Sequence, residues 1–164
     1  MEYHLNVVMP FRYVDFMTQL MAPQPYPTPP NFDSPKLTVL RKPISESTVG
    51  IFTSAGVQLR NDTPLAETND LSFRLIPRDI PLSELVIAHQ TPVRVWALED
   101  LNVAFPRDRL AELEAEGTIG RLAPQAVSMV GSITRFTELI QETVPAIKEE
   151  FDAQGVDLVF LFPF

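Results

Sequence analysis

The sequence predicts an α/β protein, and three observations carry that prediction. From Thr48 onward, short apolar runs of strand character alternate with helical patterns. One segment, TRFTELIQETVPAIKEEFDAQG (134–155), repeats Phe136, Leu139, Ile140, Val144, Ile147 and Phe151 at helical spacing. The final run, VDLVFLF (156–162), is apolar without alternation, the pattern of a strand covered on both faces. Together they imply a mostly parallel sheet with helices on both faces, a Rossmann-like or flavodoxin-like three-layer arrangement in which the C-terminal strand is central.

Residues 1–36 are expected to form an N-terminal helix and a Pro-rich arm, and residues 37–164 the α/β domain. In FRYVDFMTQLM (11–21), Phe11, Val14, Met17 and Met21 fall near one helical face. Six prolines between Pro23 and Pro35 then exclude helix and favour an extended arm. TVGIFTSAG (48–56) reads as a buried strand entering a turn of small residues. SFRLIP (72–77), LVIAH (85–89) and VRVWAL (93–98) read as further strands. Asp108 or a neighbour caps a helix that runs through Glu116, and Gly117 stops it. AVSMVG (126–131) is a strand ending in glycine. Pro145 is expected to kink the helix that follows, because its ring removes a backbone donor and crowds the preceding turn. Gly155 ends that helix, with Ser132 or Thr134 expected as its cap.

Composition narrows the function. A chain of 164 residues with 45% apolar and 21% charged residues suits one domain with a real core. The net charge of −8 argues against a nucleic-acid partner. No apolar run is long enough to span a bilayer, and the amino terminus lacks the basic region and cleavage site of a secretory signal, so no membrane partner and a cytoplasmic location are expected. The absence of cysteine leaves no disulfide, thiolate metal site or thiol nucleophile within these residues. With only His4 and His89 as histidines, no metal site is expected, and no Gly-rich phosphate loop supports a flavin or nucleotide site.

In a parallel sheet the carboxyl ends of the strands form the rim where ligands gather. The candidates delivered there are Thr53, Ser54 and Gly56, then His89, then Gly131 and Ser132 ahead of a helix start, and last Pro163 and Phe164. Arg60, Arg74 and Arg78 lie near enough in sequence to neutralise a carboxylate-bearing ligand. Each has a structural alternative. Ser54 and Gly56 also suit a tight turn, His89 a hydrogen-bonded framework role, and the arginines a solvated surface. On chemistry alone there is a rim without a nucleophile.

From about Leu40 onward the chain resembles a known family. The stretches are LRKPISESTVGIFTSAGV (40–57), SFRLIP (72–77), DLNVAFPRDRLAELEAEGTIGRLAP (100–124), VSMVG (127–131) and TVPAIKEEFDAQGVDLVFLFP (143–163). They are similar, in this order, to the selenoprotein B family of glycine, sarcosine, betaine and D-proline reductases, and most closely to its short stand-alone members. The resemblance implies that the strand VDLVFLFPF is followed at once by the redox residue, selenocysteine or cysteine. Selenocysteine is encoded by UGA, so a reading without recoding would end at Phe164. The expected activity is reductive cleavage of a small amine or amino-acid-like substrate, inactive in the chain as written. Arg60 and the turn from Ser54 to Gly56 would receive the substrate carboxylate, and His89 would donate a proton to the leaving amine. Members often carry further histidines just after the position of His89, whereas here the run is HQTPVRV. No cofactor is expected within the chain, with selenocysteine in the full-length product. The expected partners are the small-molecule substrate, a thiol or selenol redox protein and a second copy of the chain. The alternative is a non-catalytic binding or assembly module of a redox complex.

Overall fold

The structure is a computed structural model that describes residues 30–34 and 38–164. The chain divides into two units, Met1–Asn31 and Phe32–Phe164, and the description concerns the second. The expected helix over 11–21 and most of the Pro-rich arm lie outside the described residues.

The centre of the sheet is β1 (Thr48–Thr53), which is buried except for Phe52. It is parallel to every strand it pairs with. Along one edge run β5 (Arg121–Leu122) and then β6 (Gln125–Ser128), and along the other β7 (Leu158–Phe162) pairs from Val49 to Thr53. Beyond β6 lies β3 (Arg74–Pro77), which is antiparallel to it. A separate two-stranded antiparallel sheet joins β2 (Val57–Leu59) to β4 (Leu85–Ile87). The α/β architecture with a mostly parallel sheet is therefore present.

Helices cover both faces. Val49 and Ile51 share a core with Ala97 of α1 (Arg94–Glu99) and Leu110 of α2 (Arg107–Ala115). Phe52 packs on the other side, against Ile147 and Phe151 of α4 (Val144–Ala153). Gly50 allows that second contact: a Cβ there would lie 2.8 Å from the Phe151 ring. The glycine thus lets an aromatic side chain lie directly on the strand.

Four expectations need correction. The last strand is not central: among the described residues β7 pairs with β1 alone, and Leu158, Phe160 and Leu161 are exposed. The run at 93–98 is helical, not extended. Thr91, Pro92 and Val93 turn the chain, the Thr91 carbonyl accepts from the Arg94 amide at 3.0 Å, and only Ala97 is buried. β-branched and aromatic residues favour a strand only where a neighbouring strand and a covered face exist. Asp108 sits inside the first turn of α2 and does not cap it; its own amide donates to Asn102 Oδ1 at 3.2 Å. The helix before β7 begins as a short piece, α3 (Phe136–Glu138), passes through a π-helical turn (Leu139–Thr143), and continues as α4 with Pro145 in its first turn. The wider turn accommodates the missing donor of Pro145 and shifts the apolar face. Ile147 and Phe151 stay buried, while Ile140 and Val144 turn outward.

Gly117 and Gly155 end their helices as expected, with φ of +73° and +66°, conformations that cost a side chain strain.

Candidate functional site

The strand register defines the rim. Thr53 lies opposite both Ser128 of β6 and Phe162 of β7, and Ser128 lies opposite Arg74 of β3. The residues immediately beyond this row form a folded-over turn at the carboxyl ends of β1, β6 and β7.

Thr53 anchors the turn from below. Fully buried, it donates through Oγ1 to the Ala104 carbonyl at 2.7 Å and accepts from the Ala55 amide at 3.2 Å. Ser54 then connects the neighbouring strands. Its amide donates to the Phe162 carbonyl at 3.1 Å, and its carbonyl accepts from the Gly131 amide at 2.9 Å. Gly131 eases this approach, since a Cβ there would lie a tight 3.0 Å from the Ser54 Cβ. Gly56 has φ of +64° and donates to the Met129 carbonyl at 2.9 Å. A Cβ on it would strike Val130 at 2.7 Å, so the tight crossing of the two chains requires glycine.

The same crossing places His89. As β4 returns alongside β2, the amides of Ala88 and His89 donate to the carbonyls of Gly56 and Ala55, at 2.9 and 3.1 Å. The half-buried imidazole packs edge-on against Phe164, with ring centroids 6.3 Å apart. Its Nδ1 is buried and has no hydrogen-bond partner among the described residues. Burial holds the ring below its ordinary pKa, so at neutral pH it is uncharged. Phe164 is itself tied in, its amide donating to Ser54 Oγ at 2.9 Å.

Thr53, Ser54, Gly56, His89, Gly131 and Phe164 thus come together, with Ser132 following Gly131. Arg60 does not join them. It lies past the far end of β2, where its amide donates to the Glu84 carbonyl at 2.9 Å, and its guanidinium donates to the Ser83 carbonyl at 3.0 Å. Arg74 is at the rim end of β3 but donates to the Thr63 carbonyl at 2.9 Å. Arg78 is at the opposite end, paired with Glu114 at 2.8 Å. That bond draws the Glu114 carboxyl below its ordinary range and raises the Arg78 guanidinium. The turn amides are also occupied. What the turn keeps is the Ser54 hydroxyl hydrogen, for which no acceptor is found among the described residues, while its oxygen accepts from Phe164.

Asn69 has a role that local sequence does not reveal. Sixty-five residues before Thr134, it caps the helix start at a distance, its Oδ1 accepting from the Thr134 amide at 2.6 Å and the Arg135 amide at 3.3 Å. Its backbone adopts φ of +54°, a conformation asparagine tolerates better than most residues. Ser132 and Thr134 therefore do not provide the cap. Among the described residues no group of three or more His, Cys, Asp or Glu side chains is placed to hold a metal ion, and no helix is long and apolar enough to cross a membrane.

Comparison with known proteins meets this geometry from another side. The D-proline reductase subunit gamma of Acetoanaerobium sticklandii is 32% identical over 134 residues, covering 82% of this chain and 54% of the relative. The glycine reductase complex component B subunit gamma of Carboxydothermus hydrogenoformans is 29% identical over 152 residues, covering 90% of this chain and 33% of the relative. The chain thus spans about half and a third of the lengths of these two relatives. No solved structure matches it. The family model of the glycine/sarcosine/betaine reductase selenoprotein B matches residues 8–163, and the chain belongs to that family.

Proposed function

We propose that this chain is the scaffold and mouth of a reductase domain whose selenol or thiol nucleophile lies in polypeptide following Phe164. The observation that carries this reading is the placement of Phe164. Its amide on Ser54 Oγ and its ring against His89 direct any following residue to the rim. The local chemistry suits such a group, because the buried His89 Nδ1 and the Ser54 hydroxyl hydrogen have no partner among the described residues.

A selenol or thiol there would supply a low-pKa nucleophile that bonds to the amine-bearing carbon of a small amino-acid-like substrate as the carbon–nitrogen electron pair leaves with nitrogen, a thiol redox partner returning two electrons. Within this chain, neutral His89 accepts the proton released on ionisation and returns it to the departing amine. This revises a simple donor role, since an uncharged ring must first gain the proton it gives. The Ser54 hydroxyl, rather than Arg60 or the occupied turn amides, donates to the substrate carboxylate. A cytoplasmic setting suits the reading, because a free selenol or thiol persists where thiols are kept reduced.

A second reading, a non-catalytic binding or assembly module of a redox complex, draws on the relatives being named as subunits. The gene and an assay separate the two. The first expects a TGA codon after Phe164 with a continuing frame that contains a cysteine codon, and no dithiol-driven turnover by the pure 164-residue chain. A TAA or TAG codon with no frame beyond, or turnover by that chain, sinks it.

A further inference from the structure

We propose that Arg94 is the positioning residue for His89, its guanidinium clamping the backbone on either side of that histidine. The chemical use of the clamp rests on the reading above, in which His89 carries the proton; its geometry does not.

His89 needs a holder. Its Nδ1 has no hydrogen-bond partner among the described residues, so no bond at that nitrogen orients the ring. The place of the imidazole then depends on the backbone that carries it. One side of that backbone is fixed by the amides of Ala88 and His89, which donate to the carbonyls of Gly56 and Ala55. The carbonyls of the same run are taken up by Arg94. Its Nη2 donates to the Ile87 carbonyl at 3.0 Å, and its Nη1 to Gln90 Oε1 at 2.9 Å. Gln90 Nε2 in turn donates to the Ala88 carbonyl at 3.3 Å. The guanidinium thus holds residues 87, 88 and 90, directly or through Gln90, and His89 lies inside that span. Among the described residues Arg94 is the one charged side chain hydrogen-bonded to this run.

Two features set Arg94 apart from a surface cation. It is the first residue of α1, where a positive charge opposes the helix dipole, so it does not serve its own helix. Its side chain is half-buried, and Nε is covered without a partner among the described residues. Drawing a guanidinium out of water carries a cost, which the two charge-assisted hydrogen bonds offset. Both bonds use a planar fork that reaches two acceptors at once, whereas a lysine acts as a point charge. α1 is itself seated on the core through Ala97, so the clamp ties the histidine to a fixed element.

Amide hydrogen exchange and histidine NMR on the 164-residue chain test this. Arg94→Met keeps an apolar stem and removes the donors. Exchange at the Ala88 and His89 amides should then be faster by about one to two orders of magnitude, with the Gly131 amide unchanged. The His89 imidazole should also titrate closer to its ordinary pKa, since a loosened ring gains water. His89→Gln assigns the imidazole signals to the two histidines of the chain. Arg94→Lys is expected to behave like Arg94→Met. Unchanged exchange or an unchanged imidazole titration in Arg94→Met overturns the proposal. So does equal acceleration at Gly131, which marks general loosening, and so does full protection in Arg94→Lys, which makes charge alone the holder. Gln90→Ala leaves Arg94 and α1 in place and should accelerate the same two amides by about two- to tenfold. Should the arginine variants not fold, unchanged exchange in Gln90→Ala overturns the clamp. Neither measurement needs a nucleophile, so the result stands apart from the codon test of the proposed function.

Discussion

Two neighbouring strands of this molecule have similar composition and opposite surroundings. β1 and β7 pair residue for residue from Val49 to Thr53, and both are dominated by apolar side chains. β1 has strands along both edges and helices on both faces, and it is buried almost throughout. Among the described residues β7 has one paired edge, and three of its five residues are exposed. An apolar strand thus signals how much cover it can take, while the cover itself comes from elsewhere in the polypeptide.

Substitutions at matched positions sharpen that contrast, and the largest effect is expected within β1. Ile51→Ala removes a side chain that is 4% exposed and should cost about 2–5 kcal/mol, read as a shift in urea midpoint. An effect below about 1 kcal/mol would mean that the two strands are equally loose. Gly50→Ala should cost about 1–3 kcal/mol, because the new methyl group meets the Phe151 ring and Val156. A neutral result would show that α4 lies less tightly on β1 than described. Thr53→Val leaves the Ala104 carbonyl and the Ala55 amide without their hydroxyl partner, a loss of about 1–3 kcal/mol by the same measurement.

A smaller effect concerns pH at the rim. His89 is held neutral by burial, so its folded pKa lies below the ordinary 6.5. The unfolded chain then binds more protons as the solution is acidified. The stability due to the neutral ring is fully present above about pH 6.5 and is lost as pH falls through the folded value. Melting temperatures of the wild type between pH 5 and 7.5 should therefore fall more steeply with acid than those of His89→Gln. Parallel curves would remove the buried neutral imidazole from the account. The smallest change is expected at Leu161→Ala, within about 0.5 kcal/mol in the 164-residue chain, since this side chain covers little there. A large loss would mean that β7 is already covered in solution.

Much of the fold was legible in order. The buried strand at 48–53, the strands near 74, 85 and 125, the glycine stops and the final strand all follow from apolar runs bounded by turn residues. The misses share one cause, since each depended on a distant neighbour. The run at 93–98 has strand-forming residues but no strand beside it. The helix cap comes from Asn69, which lies 65 residues away. The π-helical turn moved Val144 off a face that regular periodicity assigned to the core. At the rim, the structure brings Ser54, Gly56, His89 and Gly131 together as their places at strand ends suggest, yet closeness along the chain was a poor guide to the arginines. Arg60 is four residues from Gly56, but an extended strand carries it about 13 Å away.

By itself, the sequence determined that this chain builds a mostly parallel sheet flanked by helices, that its turns place glycine at specific points, and that these residues include no thiol. These follow from local pattern and composition, which act over a few residues. The tertiary structure alone decided which apolar strand lies inside, which arginines are already engaged, and that Phe164 rests between Ser54 and His89. Such facts depend on strand order and long-range hydrogen bonding, and neither is encoded within a short window of the chain.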